Sequence, residues 1–221
     1  EHAIGMMLCL SKRIIQADRA MRTVANLERE KYMGNDSHGK TLGIVGMGHV
    51  GSHVAALASG MLSMQVLGYD PFLSDEEIAR RGAEPVTLDA LLARSDVVTV
   101  HCPRNSRSEN MLDAAAFAKM KRSAYFITTA RGGIHNELAL AEALRNDALA
   151  GAGLDVWEDE PPSLDHPLLA FDNVLVSPHT AGVTHESRSN VVRGTVEQID
   201  AIARGQRPPR LLNPDVWPAY V

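Results

Sequence analysis

The chain has 221 residues, a formal net charge of −5 and a pI near 6.0, so no basic stripe is available to neutralise phosphates and nucleic acid is excluded as an expected partner. It is 45% hydrophobic and 22% charged, an ordinary balance for a globular protein with a substantial core. No apolar run approaches the ~20 residues a membrane helix needs, and Cys9 and Cys102 show no pairing pattern, so the expectation is a cytoplasmic protein without membrane or disulfide.

Residues 1 to 30 read as one long helix, with Ile4, Leu8, Ile15, Met21, Val24 and Leu27 in an apolar stripe and no interrupting proline. Its opening "AIGMMLCL" is too short to cross a bilayer and lacks the basic flank and cleavage site of a secretory signal. "MGNDSHG" then breaks the helix. Beyond it, the apolar runs "TLGIVG", "MQVLGYD", "DVVTVHCP", "AYFITTA", "LAGAGLDV" and "NVLVSPH" alternate with helical patterns at His49–Met61, Ser74–Arg81, Leu88–Arg94, Asp113–Met120 and Asn136–Arg145. Strands that are apolar throughout are buried on both faces, which predicts a parallel sheet covered by helices. Right-handed crossovers make it an α/β, doubly wound, Rossmann-like domain. A last helix runs from about Val183 to Gly205, and the prolines after it predict an extended tail. The expected partition is a helix over 1–30, a dinucleotide-binding domain over 31–182, and a C-terminal helix with tail over 183–221.

"GMGHVG" is G-x-G-x-x-G directly after a strand and opening a helix, with Gly46, Gly48 and Gly51 at the three glycine positions. The first glycine makes the tight turn, the second admits a pyrophosphate to the backbone, and the third lets helix pack on strand. The helix start then offers unpaired N–H groups to the phosphates. Asp70 closes the next strand, 19 residues beyond Gly51. A carboxylate there accepts from both ribose hydroxyls and repels an added phosphate, so NAD is expected rather than NADP.

Three successive strand ends carry unusual chemistry: Arg131 in "ITTARGG", Asp155 and Glu160 in "GAGLDVWEDEPP", and His179 in "NVLVSPHTAG". In such a sheet, ligands sit outside the carboxyl ends of the strands, so these groups converge on one rim. Arg131 offers a planar fork for a substrate carboxylate and an adjacent carbonyl oxygen. His179 can exchange a proton with a hydroxyl, and Glu160, if it meets the other ring nitrogen, fixes its tautomer and favours the imidazolium. With NAD alongside, this predicts hydride transfer at a 2-hydroxy or 2-oxo acid. Taken singly, the arginine reads as a surface ion pair, Ser-Pro-His as a turn and "EDEPP" as a solvated loop; their order behind a dinucleotide motif favours the site. His49 and His53 stand at i and i+4, but one lies in the phosphate loop and no third ligand is evident, so no metal is expected. His135 and His185 stay unassigned, and Trp157 reads as packing under its loop.

Through "EHAIGMML", "GKTLGIVGMGHVG", "YDP", "ITTARGG", "GAGLDVWEDEPP" and "NVLVSPHTAG", the chain resembles the D-isomer-specific 2-hydroxyacid dehydrogenases, which include phosphoglycerate, glycerate/hydroxypyruvate, D-lactate and formate dehydrogenases. The resemblance implies Arg131 as carboxylate binder, His179 as acid/base and Glu160 as its partner. It also implies NAD contacts from the glycine loop with His49 and Val50, from Asp70, Cys102 and Pro103, from Thr129, Ala130 and Arg131, from Asp155, and from His179, Ala181 and Gly182. Relatives carry further residues before the point matching Glu1, which build most of a substrate domain. The expectation is therefore a cofactor-domain fragment with remnants of a second domain, whose first helix links domains and forms a homodimer and whose tail packs on the absent part. "HCPRNSRSEN" departs from the family's Leu-Thr pattern after this proline, and places Arg104 and Arg107 in a loop beside the nicotinamide half. A non-catalytic NAD-sensing or corepressor module is the competing class. The joint presence of Arg131, Glu160 and His179 disfavours it, and their order disfavours relatives such as adenosylhomocysteine hydrolase or alanine dehydrogenase.

Overall fold

The computed structural model describes residues 1–220, which form two compact units, one from Glu1 to Ala181 and one from Gly182 onward. The first is built on seven parallel strands in the order β3-β2-β1-β4-β5-β6-β7. The strands are β1 (Thr41–Val45), β2 (Gln65–Tyr69), β3 (Glu84–Pro85), β4 (Val97–Val100), β5 (Tyr125–Thr128), β6 (Gly151–Leu154) and β7 (Val174–Val176). Strand order reverses between β1 and β4, where a crevice opens at the carboxyl edge.

Alternation along each strand feeds two apolar layers. Leu42, Ile44, Val66, Val97 and Ile127 face α1 (His2–Ser11), α3 (His49–Leu62) and α4 (Asp75–Arg80), packing with Ile4, Met7, Leu10, Val54, Ala58 and Ile78. Val45, Val98, Val100, Phe126 and Leu154 face α5 (Leu88–Arg94), α6 (Ala114–Ala118) and α7 (Glu137–Arg145), packing with Leu91, Phe117, Leu140 and Leu144. Phe117 and Phe126 meet edge to face with centroids 5.3 Å apart, an arrangement worth about 0.5–1.5 kcal/mol beyond burial.

The expected single helix over 1–30 is corrected. It is broken after α1 by Arg13, whose φ of 55° is left-handed, before α2 (Ile14–Thr23) and a 3-10 turn at Arg29–Tyr32. The cause is the returning chain. Asn35 N–H donates to Ser11 O at 2.7 Å, Arg13 Nη1 to Lys31 O at 2.9 Å, and Lys12 pairs with Asp36. Gly34 lies so close that a Cβ there would sit 2.4 Å from Ser11 O. Only Ala20 of α2 is buried, and Met21 and Val24 of the expected stripe are exposed.

The second unit holds α8 (His185–Ala203), started by a capping box between Thr184 and Ser187. Gly194 is buried under Arg210, where a Cβ would sit 2.5 Å from Nη1. Val191, Val192, Val196, Ile199 and Ile202 are exposed. The tail is not extended to its end, since Pro214–Tyr220 forms a 3-10 helix.

Candidate active site

The glycine turn is built as its sequence requires. Gly46 has φ +95°, and a Cβ there would sit 2.6 Å from Cys102 N, so the ends of β1 and β4 touch at this point. A Cβ on Gly51 would lie 2.0 Å from Gly46 O, whereas one on Gly48 would meet nothing within 4 Å. The middle glycine therefore borders open space at the start of α3. Helices α4 to α8 are each capped by a side chain, namely Ser74, Thr87, Asp113, Asn136 and Thr184. α3 instead begins on Gly48 with no side-chain cap, leaving its first N–H groups, including those of His49 and Val50, to an anion. Asp70, just past β2, accepts from Met47 N and Phe72 N, each at 3.0 Å, which fixes its carboxylate at the rim. Gly46, Asp70, Cys102 and Pro103 share a smaller recess with Phe72 and Arg107, whose guanidinium carbon lies 5.4 Å from the Phe72 ring centroid.

Next to it opens a cleft of about 730 Å³ lined by Val50, Cys102, Pro103, Thr129, Ala130, Arg131, Glu160 and His179. Arg131, Glu160 and His179, from three separate strand ends, thus line one cleft, whereas Asp155 of the same expectation does not line it. His179 Nδ1 stands 2.7 Å from Glu160 Oε2. A carboxylate acceptor at Nδ1 puts the hydrogen of the neutral ring there and leaves Nε2 as the free nitrogen. Glu160 Oε1 accepts from Trp157 N at 3.1 Å. Burial alone pushes the Glu160 carboxyl up, but the His179 and Trp157 hydrogen bonds hold it below the usual carboxylate range. Arg131 Nη1 donates to its own neighbour Ala130 O at 2.6 Å.

His179 has a left-handed backbone, φ 55°, and its N–H donates to Asp155 O at 2.7 Å. Asp155 is fully buried. Its Oδ1 accepts from Thr180 N at 2.8 Å and Ser177 Oγ at 2.5 Å, and its Oδ2 from Ala181 N at 2.8 Å. His2 Nε2 lies 3.0 Å from Ser177 Oγ. Asp155 thus acts on the rim by folding the turn that presents His179. Gly182 begins the second unit.

His101, Arg104, Gly132, Trp157 and Glu158 also line the cleft, so Arg104 stands where its loop was expected to and Trp157 borders the cleft as well as packing under its loop. His101 is pushed down to about 4 by burial and contacts Thr99 Oγ1 at 2.9 Å. Arg104 is engaged by Glu109 Oε1 at 2.6 Å and covers Gly133, so it is not a free charge. Cys102 is raised above the usual thiol value by burial, which suits a wall rather than a nucleophile. Among the described residues, no group of three or more His, Cys, Asp or Glu is placed to hold a metal ion, and no helix is long and apolar enough to cross a membrane.

Fold and turn together define a dinucleotide-binding domain of the doubly wound class. The chain belongs to the D-isomer-specific 2-hydroxyacid dehydrogenase family, whose NAD-binding-domain model matches residues 4–181. It is 45% identical over 205 residues to D-3-phosphoglycerate dehydrogenase of Archaeoglobus fulgidus, covering 93% of this chain and 38% of that protein. It is 37% identical over 219 residues to glyoxylate reductase of Korarchaeum cryptofilum, covering 98% and 66%. The D-lactate dehydrogenase of Aquifex aeolicus, solved with NAD and lactic acid, superposes with a TM-score of 0.83 at 30% identity, covering 92% of this chain and 65% of that one. The chain thus spans between 38% and 66% of the length of these relatives. NAD is the cofactor of this domain, and the open face of Gly48, the uncapped start of α3 and the oriented Asp70 fit it.

Proposed function

We propose that this chain is the cofactor half of an enzyme that interconverts a D-2-hydroxy acid and its 2-oxo acid. NAD, when bound, supplies the hydride acceptor or donor. The chain's own residues do the rest. Arg131 grips the substrate carboxylate and draws electron density from the carbonyl oxygen. His179 Nε2 takes the hydroxyl proton in one direction and returns it in the other. Glu160 holds the ring through Nδ1 and stabilises the charge that forms. Thr129, Ala130, Pro103 and Val50 line the cleft and would hold the nicotinamide half.

The observation that carries this reading is the His179 Nδ1 to Glu160 Oε2 contact of 2.7 Å in the same cleft as Arg131. The substrate and a second copy of the chain are the proposed partners. The exposed Ile14, Met21 and Val24 of the α2 region support the second, and sedimentation of this chain tests it. The activity is tested with glyoxylate, hydroxypyruvate, pyruvate and phosphohydroxypyruvate and NADH, on this chain and on one extended at its amino end. Turnover of at least one acid by the extended chain is expected; binding of NADH without turnover of any would favour a sensing module.

A further inference from the structure

We propose that Glu137, with His166, is a positioning residue that clamps the loop carrying Glu160 and thereby sets the tautomer of His179; the functional meaning of this clamp rests on the reading above. Glu137 opens α7, yet its carboxylate is not spent on its own helix. Asn136 caps α7 by accepting from Ala139 N at 2.8 Å. The buried Glu137 side chain, 8% exposed, instead reaches across to the loop after β6. Its Oε1 accepts from Glu158 N at 2.7 Å, and its Oε2 lies 3.0 Å from His166 Nε2. Leu168 N donates to His166 Nδ1 at 3.3 Å, so the His166 hydrogen sits on Nε2 and points at Glu137.

The loop held in this way is the one that matters for the acid/base pair. Trp157, one residue before the clamped Glu158, donates its N–H to Glu160 Oε1, and its ring meets His166 edge-on at 5.4 Å. Its indole Nε1 donates to Ser177 O at 3.3 Å, two residues before His179. From below, Gly132 presses on the same loop, since a Cβ there would stand 1.7 Å from Trp157 O. The loop is therefore pinned on one side by the backbone next to Arg131 and on the other by a buried carboxylate. A buried carboxylate that accepts a backbone N–H and a ring N–H leaves little slack, because moving the loop strands its charge.

The test reads the His179 ring directly. Long-range ¹H–¹⁵N correlation at alkaline pH distinguishes Nδ1–H from Nε2–H, and NAD binding is measured on the same samples. The unmodified chain should show Nδ1–H. Glu160→Ala should move the ring toward Nε2–H, and Glu137→Ala should do the same although Glu137 does not touch His179. Glu137→Gln, which still accepts from Glu158 N but turns an amide hydrogen toward the His166 Nε2–H, keeps half of the clamp and should give an Nδ1–H population between those of the unmodified chain and Glu137→Ala. If Glu137→Ala does not fold, Glu137→Asp, one methylene too short for the reach, should show the same move. A folded Glu137→Ala or Glu137→Asp that keeps Nδ1–H overturns the clamp. Failure of the unmodified chain to bind NAD would instead overturn the functional reading and leave the clamp standing on its own signature.

Discussion

At the scale of single residues, His179 carries the most exposed commitment. Its ring is presented from a left-handed turn, where asparagine is accommodated better than most side chains. Under the proposed function, His179→Asn should therefore keep the turn and lower turnover by about 10²–10⁴-fold, the usual worth of a general acid/base. Unchanged kcat would remove the histidine from the mechanism. Asp70 offers a second check through its two fixed oxygens. Asp70→Ala should weaken NAD binding while relaxing the barrier to NADP, and titration of this chain with both cofactors measures the ratio. That Arg131, Glu160 and His179 line one cleft was legible in the sequence because a parallel sheet sends the end of every strand to one rim. Glu137 was not. It looks like an ordinary first-turn glutamate, and its partners lie 21 and 29 residues away in loops without periodicity.

At the scale of elements, the β1 to α3 turn separates two uses of glycine. Gly48→Ala should leave stability within about 0.5 kcal/mol, since the added methyl meets nothing. It should nevertheless weaken NAD binding, because the methyl enters the space kept for phosphate. Gly51→Ala drives a methyl to 2.0 Å from Gly46 O and should cost about 1–3 kcal/mol of stability, the usual penalty of overpacking. Urea titration and cofactor titration of the two variants distinguish these outcomes. The apolar runs announced β1, β2 and β4 to β7, because a strand covered on both faces has few alternatives. They did not announce β3, whose two residues, Glu84 and Pro85, pair only at the sheet edge. Nor did they show the break at Arg13, which is imposed by residues 31–36 returning to the end of α1. That is a tertiary event with no local signature beyond Gly34.

At the scale of the whole molecule, acid sensitivity follows from buried neutral rings. His135 is 1% exposed, neither ring nitrogen has a hydrogen-bond partner among the described residues, and burial pushes it down to about 4. Its unfolded counterpart titrates near 6.5. Between these values the unfolded chain binds the proton and the folded one does not, so stability is full above about pH 6.5 and falls as pH drops toward 4. The loss from His135 approaches about 3 kcal/mol at the acid end. His101 adds a smaller share in the same direction, because it borders the solvated cleft. Urea midpoints at pH 5 and 7 should differ, and His135→Leu should narrow the gap; an equal gap in that variant would remove His135 as its source.

Asp155 is where several separate parts of the chain meet. Its carboxylate gathers Thr180, Ala181 and Ser177, and Ser177 leads on to His2 of α1. An asparagine there would be the same size but would have to aim an amide hydrogen at another hydrogen, whichever way it flipped. The turn would open and the imidazole would swing without having been altered. A rate lost through Asp155→Asn would then measure architecture rather than chemistry, and only a structure of that variant would assign it correctly.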